Sequence, residues 1–278
     1  MAPHREGGVA GRSRTGYLAC VLHSVLESPV LRWGPPALTA FFLAAVAGYA
    51  VKAALFGRTR VARVDQLGGS AVLSKAVMES WFWATTPIVQ GSIKVGLHPD
   101  VFTWTSLVLQ AVAALLVASG YFALGGWVLV FGAFCDALDG AVARARGIAS
   151  EAGEVLDAAI DRWAEMIVFA GYAYYYRDLP WAFALAAGAS AGAVMVSYAR
   201  AKAEGYGIDA RMGLMQRHER AAWLSVATVF SGSWETWHPS SGFALHPLVL
   251  AALGAICVLG NWTGWLRTRY TRAELRRR

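Results

Sequence analysis

Four aspartates are the residues in this sequence best suited to chemistry. Asp136 and Asp139 stand three residues apart, and Asp157 and Asp161 four apart, within the stretch DALDGAVARARGIASEAGEVLDAAID. Spacings of three and four put the members of each pair on one helix face. The connection RARGIASEAG between the pairs is short. The two helices are therefore expected to be antiparallel neighbours whose acid-bearing ends lie side by side. Four anions packed together repel, and an acid inside a membrane helix costs about 2.5–3.5 kcal/mol. Divalent cations relieve both problems. Oxygen donors with no nearby His or Cys on the same face suit Mg²⁺ or Mn²⁺ rather than zinc. Two ions shared by four carboxylates suit displacement at phosphorus. Gly140, Ala143 and Gly153 let a ligand or partner helix approach the backbone, and Arg144, one turn beyond Gly140, can reach a phosphate at the same mouth.

The elements that must position these acids are membrane helices. The chain has 278 residues, 56% hydrophobic and 15% charged, where soluble domains carry about 25% charged residues. Runs approaching the about 20 residues needed to cross a bilayer recur along it. They fall at Leu38–Phe56, Phe102–Phe122, Gly125–Ala143, Val155–Tyr175, Trp181–Tyr198, Ala221–Ser233 (a shorter, Trp-rich run) and His246–Leu266. The expected class is an all-α, polytopic integral membrane protein with a six-helix core from Phe102 onward. Three scattered cysteines, Cys20, Cys135 and Cys257, suggest neither a disulfide frame nor a zinc site. The start MAPHREGGVAGRSRTGY lacks the compact apolar core of a cleavable signal.

Charge orients the core. Arg144 and Arg146 occupy one connection, Arg200, Lys202, Arg211, Arg217 and Arg220 the next but one, and six arginines from Arg267 to Arg278 close the chain. The connections between carry a single arginine, Arg177. Positive charge prefers the cytoplasmic side, so both core ends and the acid cluster are expected there, in a prokaryotic-type inner membrane. The net charge of +7 fits topology and attraction to anionic lipid. Because the arginines alternate between loops rather than covering one soluble face, nucleic acid is not an expected partner. Ahead of the core, residues 1–72 read as a cytosolic tail, an extra hydrophobic segment and an arginine-bearing linker. Leu38–Phe56 there is either a seventh span or a segment lying in the interface. Leu73–Leu97 mixes Trp81, Phe82, Trp83, Ile88 and Val89 with Lys75, Glu79 and Lys94, the pattern of an interfacial amphipathic helix opening a membrane domain over 73–278.

The spacing Asp136-x2-Asp139-Gly140-x2-Ala143-Arg144-x8-Gly153-x3-Asp157-x3-Asp161 resembles, position for position, the CDP-alcohol phosphotransferase (phosphatidyltransferase) family. That resemblance implies Asp136, Asp139, Asp157 and Asp161 as metal ligands for two Mg²⁺ or Mn²⁺ ions, with Asp161 also the general base. It implies CDP contacts from Gly140, Ala143, Arg144 and Gly153. An acceptor hydroxyl would attack the phosphorus bearing the lipid of a CDP-diacylglycerol-type donor and expel CMP. Family members also share a Pro-Asn-x-x-Thr element opening the first core span. Here it reads Pro99-Asp100-Val101-Phe102-Thr103, with Asp in place of Asn and Thr103 kept as a CDP contact. A homodimer is implied by the family alone.

The acceptor is read from the loop SYARAKAEGYGIDARMGLMQRHERAAW. It is similar to that of the prokaryotic phosphatidylinositol-phosphate synthase branch, which uses inositol 1-phosphate. Its Arg200, Lys202, Arg217 and Arg220 would form a cationic pocket for the acceptor phosphate. They could equally be topology determinants. Glycerol 3-phosphate, serine or another polar alcohol remain open as acceptors. A reading from a different class is a divalent-cation transporter or binding protein using the same acids. The tryptophans read as an interfacial belt, and His98, His218 and His246 show no metal spacing. The triplet Asn261-Trp262-Thr263 lies within a span, where glycosylation does not occur.

Overall fold

A computed structural model describes residues 28–56, 86–239 and 242–278; the expected cytosolic tail, the linker and residues 73–85 lie outside them. The described residues form helices and no strand. We number the long helices α1 (Pro29–Phe56), α2 (Pro99–Ala118), α3 (Phe122–Ala145), α4 (Glu151–Tyr175), α5 (Pro180–Glu204), α6 (Arg217–Trp237) and α7, the rod Pro247–Arg277. Residues 86–95 are also helical, consistent with the end of the expected interfacial segment.

Local chemistry sets the ends. Proline opens α2, α5 and α7, where its missing N–H costs nothing. The expected Phe102–Phe122 span stops at Ala118 because Gly120 takes a left-handed conformation (φ +88°) that turns the chain into α3. Ser150 caps α4, its Oγ accepting from the Gly153 N–H at 3.2 Å, with Glu151 and Glu154 in the first turn. Gly153, expected to face CDP, thus also lies in the helix cap. A capping box of Gln216 and Glu219 opens α6.

Among the described residues, four helices are long and apolar enough to cross a membrane: α2, α3, α5 and α7. The helices α4 and α6 are 25 and 21 residues long, enough to cross, but their apolar character is interrupted by the charges that build the site. Around the bundle, α2 packs on α3 and α4, α3 on α6, and α5 on α4 and α7. Glycine lets the helices that carry the site approach closely. A Cβ on Gly171 of α4 would stand 2.6 Å from the Ala114 carbonyl oxygen of α2, and one on Gly126 of α3 would stand 2.7 Å from the Val229 nitrogen of α6. In α7 a π turn at Ile256–Gly260 faces α5. Beside it, Asn261 Nδ2 donates to the Gly188 carbonyl at 2.9 Å, so the apparent glycosylation triplet is interhelical glue.

The helix α1 packs on α3 and α6. Trp127 Nε1 donates to the Pro35 carbonyl at 3.1 Å and to Thr39 Oγ1 at 3.0 Å, and Thr39 Oγ1 lies 3.2 Å from Ser233 Oγ. These partners lie near the start of α3 and the end of α6, remote from the acids. The start of α1 therefore lies at the bundle end opposite the acid cluster.

Candidate active site

The acids converge where α3 ends and α4 begins. One oxygen each of Asp136, Asp157 and Asp161 lies within 4.8 Å of the others. Asp136 and Asp161 are joined by Arg217 from the first turn of α6. Its guanidinium grips Asp136 in a bidentate pair, Nη1 to Oδ2 at 3.0 Å and Nη2 to Oδ1 at 2.8 Å. The same Nη2 lies 2.5 Å from Asp161 Oδ1. That short contact is not aligned as a hydrogen bond, and Asp161 Oδ1 is buried without a hydrogen-bond donor. Attraction of unlike charges holds the pair, and the oxygen keeps an acceptor direction to spare.

Asp139 points elsewhere. It is 6% exposed, accepts from Thr103 Oγ1 at 2.7 Å through Oδ2, and takes its own neighbour's Gly140 N–H through Oδ1. Two of the residues expected here, Thr103 and Asp139, therefore meet each other across α2 and α3. Asp139 stands outside the three-acid group in this conformation because both of its oxygens are satisfied locally. Arg144 folds back over Gly140, where a Cβ would come within 2.8 Å of its Nη1. A side chain at position 140 would meet only the far end of this flexible arm.

The loop after α5 divides into a fixed part and an open part. Arg220 is 1% exposed, and Glu165 binds its Nε at 2.7 Å and Nη2 at 2.9 Å, while Nη1 donates to the Met215 carbonyl at 2.6 Å. An arginine so enclosed positions the loop, while its side chain also lines a cavity shared with Asp161 and Arg217. Thr263 both donates to and accepts from the Leu214 backbone, and Arg267 donates to the Met212 and Val196 carbonyls. Met215 sits at φ +59°, an uncommon conformation for a side-chain-bearing residue that these bonds hold in place. At Gly213, φ +98°, a Cβ would collide with the Thr263 side chain. The other expected cations lie nearer the surface: half-buried Arg200 pairs with Glu204 at 2.8 Å, and exposed Lys202 lies 5.3 Å from the centre of the Tyr206 ring. Only Arg217 of the four enters the acid cluster.

Glu165 was missed by the sequence reading. Its signal was available: it extends the series Asp157, Asp161 by another interval of four along α4.

The donor set fits a divalent cation. It is all oxygen, largely buried, and includes one carboxylate oxygen without a hydrogen bond. Fold and site together define a helical membrane protein whose acids and arginine meet at one end of the bundle, an arrangement suited to phosphoryl chemistry. The chain belongs to the CDP-alcohol phosphatidyltransferase family, whose model matches residues 96–265. It is thus a transferase and a multi-pass integral membrane protein. The phosphatidylinositol phosphate synthase of Mycobacterium tuberculosis (strain H37Rv) is 35% identical over 187 residues, 65% of this chain and 85% of that protein. A crystal structure of the M. tuberculosis enzyme with CDP-DAG bound aligns at TM-score 0.58 and 29% identity, covering 67% of this chain and 92% of that one. Its complex with manganese and citrate aligns at TM-score 0.59 and 29% identity, covering 67% and 88%.

Proposed function

We propose that this chain transfers the phosphatidyl group of CDP-diacylglycerol to inositol 1-phosphate and releases CMP. The observation that carries the reading is the convergence of Asp136, Asp157 and Asp161 around Arg217. The similarity to phosphatidylinositol phosphate synthases, one of them solved with CDP-DAG and with manganese, supports donor, acceptor and metal.

Asp136, Asp157 and Asp161 hold the divalent ions, with Asp139 joining them by turning from Thr103. Divalent ions held there would supply the positive charge that offsets the diphosphate during transfer. Thr103, Gly140, Ala143, Arg144 and Gly153 line the CDP moiety. Asp161 takes the proton of the acceptor hydroxyl as that oxygen attacks the phosphorus bearing the lipid. The bond from this phosphorus to the bridging oxygen breaks, and CMP leaves with that oxygen. Arg217 holds the acceptor phosphate, with Arg200 and Lys202 adding positive charge at the mouth. The six core helices span the membrane with the acid end in the cytoplasm, as the arginines at that end favour. The catalytic domain covers 73–278 and works as a homodimer in a prokaryotic-type inner membrane. Residues 1–72 are an appendage to it.

The purified protein is expected to release CMP from CDP-diacylglycerol fastest with inositol 1-phosphate, against glycerol 3-phosphate, inositol and serine. EDTA should abolish release, and Mg²⁺ or Mn²⁺ should restore it. A preference for a non-phosphorylated alcohol would overturn the acceptor assignment.

A further inference from the structure

Arg217 stands where a cation bridging Asp136 and Asp161 would stand. Its guanidinium contacts both carboxylates, at 2.8 Å and 2.5 Å, with Asp157 completing the group. One positive side chain cannot both fill this position and reach a substrate phosphate. The site therefore has two arrangements, and the partner of the acids decides between them.

We propose that Arg217 is a built-in counter-ion, displaced when a divalent cation enters and only then free to bind the anionic acceptor. This deepens the functional reading above and rests on its metal site. Three features of the chain make the exchange feasible. Arg217 is the first residue of α6, so its side chain can swing without breaking helix packing. It remains 34% exposed, whereas Arg220, one turn later, is locked at 1% exposure by Glu165 and Met215. The anchored Arg220 keeps the backbone of α6 in place while Arg217 moves. Finally, the contact to Asp161 Oδ1 lacks hydrogen-bond alignment, so a cation entering there breaks no directional bond to that oxygen.

The consequence is an order of binding. Without metal, Arg217 neutralises the acids and is withheld from phosphate. With metal, the acids release it toward the acceptor. Metal and acceptor thus favour each other through one side chain, and removal of the guanidinium uncouples them. The arginine stabilises chiefly the metal-free protein, because in the loaded protein the ion performs its neutralising task.

The test is Mn²⁺ binding to the detergent-solubilised full chain, read by the loss of the free-ion electron paramagnetic resonance signal. Wild type is compared with Arg217→Ala, Arg217→Lys and Asp161→Asn. Deleting the internal competitor should tighten Mn²⁺ binding at least about five-fold, the low end of site–site coupling. Arg217→Lys keeps the charge but loses the two-armed grip, and it should fall between wild type and Arg217→Ala. Thermal unfolding supplies a second readout: Arg217→Ala should melt below wild type without Mn²⁺ and level with it at saturating Mn²⁺. Equal or weaker Mn²⁺ binding by Arg217→Ala, or a melting deficit that saturating Mn²⁺ leaves intact, overturns the exchange while sparing the metal site. Arg217→Lys binding like wild type, with only Arg217→Ala tighter, would show that the charge alone serves as the counter-ion and would still support the exchange. Failure of the wild type to bind Mn²⁺ removes the metal site itself, and the exchange with it.

Discussion

Replacing Asp161 by asparagine is expected to lower CMP release by about 10²–10⁴-fold, the range for a lost proton acceptor in a transition state. Asparagine has nearly the same shape, so the packing of α4 against its neighbours should survive. The substitution removes the buried charge that Arg217 approaches at 2.5 Å and that completes the three-acid group. The loss should fall on kcat more than on the KM for CDP-diacylglycerol, because the proposed proton transfer occurs only once the acceptor attacks. Turnover within a few-fold of wild type would remove Asp161 from the reaction altogether.

The second large effect concerns a residue without a place in the reaction. Glu165→Ala is expected to destabilise the protein by about 3–5 kcal/mol, because it strands the buried Arg220 without its carboxylate. Against a typical total of about 5–15 kcal/mol, that is enough to lower expression and melting temperature sharply. The paired replacement Glu165→Leu with Arg220→Met removes both charges, so most of the stability should return. Activity should not, because Met215 loses the donor that holds its carbonyl, and the loop leading to Arg217 loses its anchor. Melting curves and CMP release measured side by side separate these effects. A double variant with full activity would show that the loop is positioned by other contacts, such as those of Thr263 and Arg267.

Much of this architecture was legible because membrane helices announce themselves through long apolar runs. Each core span expected from the sequence corresponds to a helix, and the ends shifted for local reasons. At Phe102–Phe122 the apolar run hid a turn, since Gly120 is invisible to hydropathy but needs its left-handed backbone. At Ala221–Ser233 the run looked short because the charged first turn of α6 belongs to the same helix and faces the site. Spacing also brought Asp136, Asp157 and Asp161 together correctly. Spacing could not show that Asp139 would bond Thr103 36 positions away, because that choice depends on how α2 packs against α3. Nor could it divide the arginines of one loop. Arg217 and Arg220 are three residues apart in the same turn, yet one meets the acids and the other is sealed against Glu165. Type and loop position are identical for the two; only the tertiary partner differs. The placement of α1 escaped for the same reason, as its register depends on tertiary contacts, Trp127 reaching Pro35 and Thr39, and Thr39 reaching Ser233.

The claim beneath all of this is that the acids at the mouth of α3 and α4 hold divalent metal. Anomalous diffraction from crystals grown with Mn²⁺ tests it most directly. The account predicts manganese peaks within about 2.5 Å of carboxylate oxygens of Asp136, Asp157 and Asp161, with the Arg217 guanidinium withdrawn from between them. Peaks confined to surface carboxylates, with Arg217 still bridging Asp136 and Asp161, would contradict it.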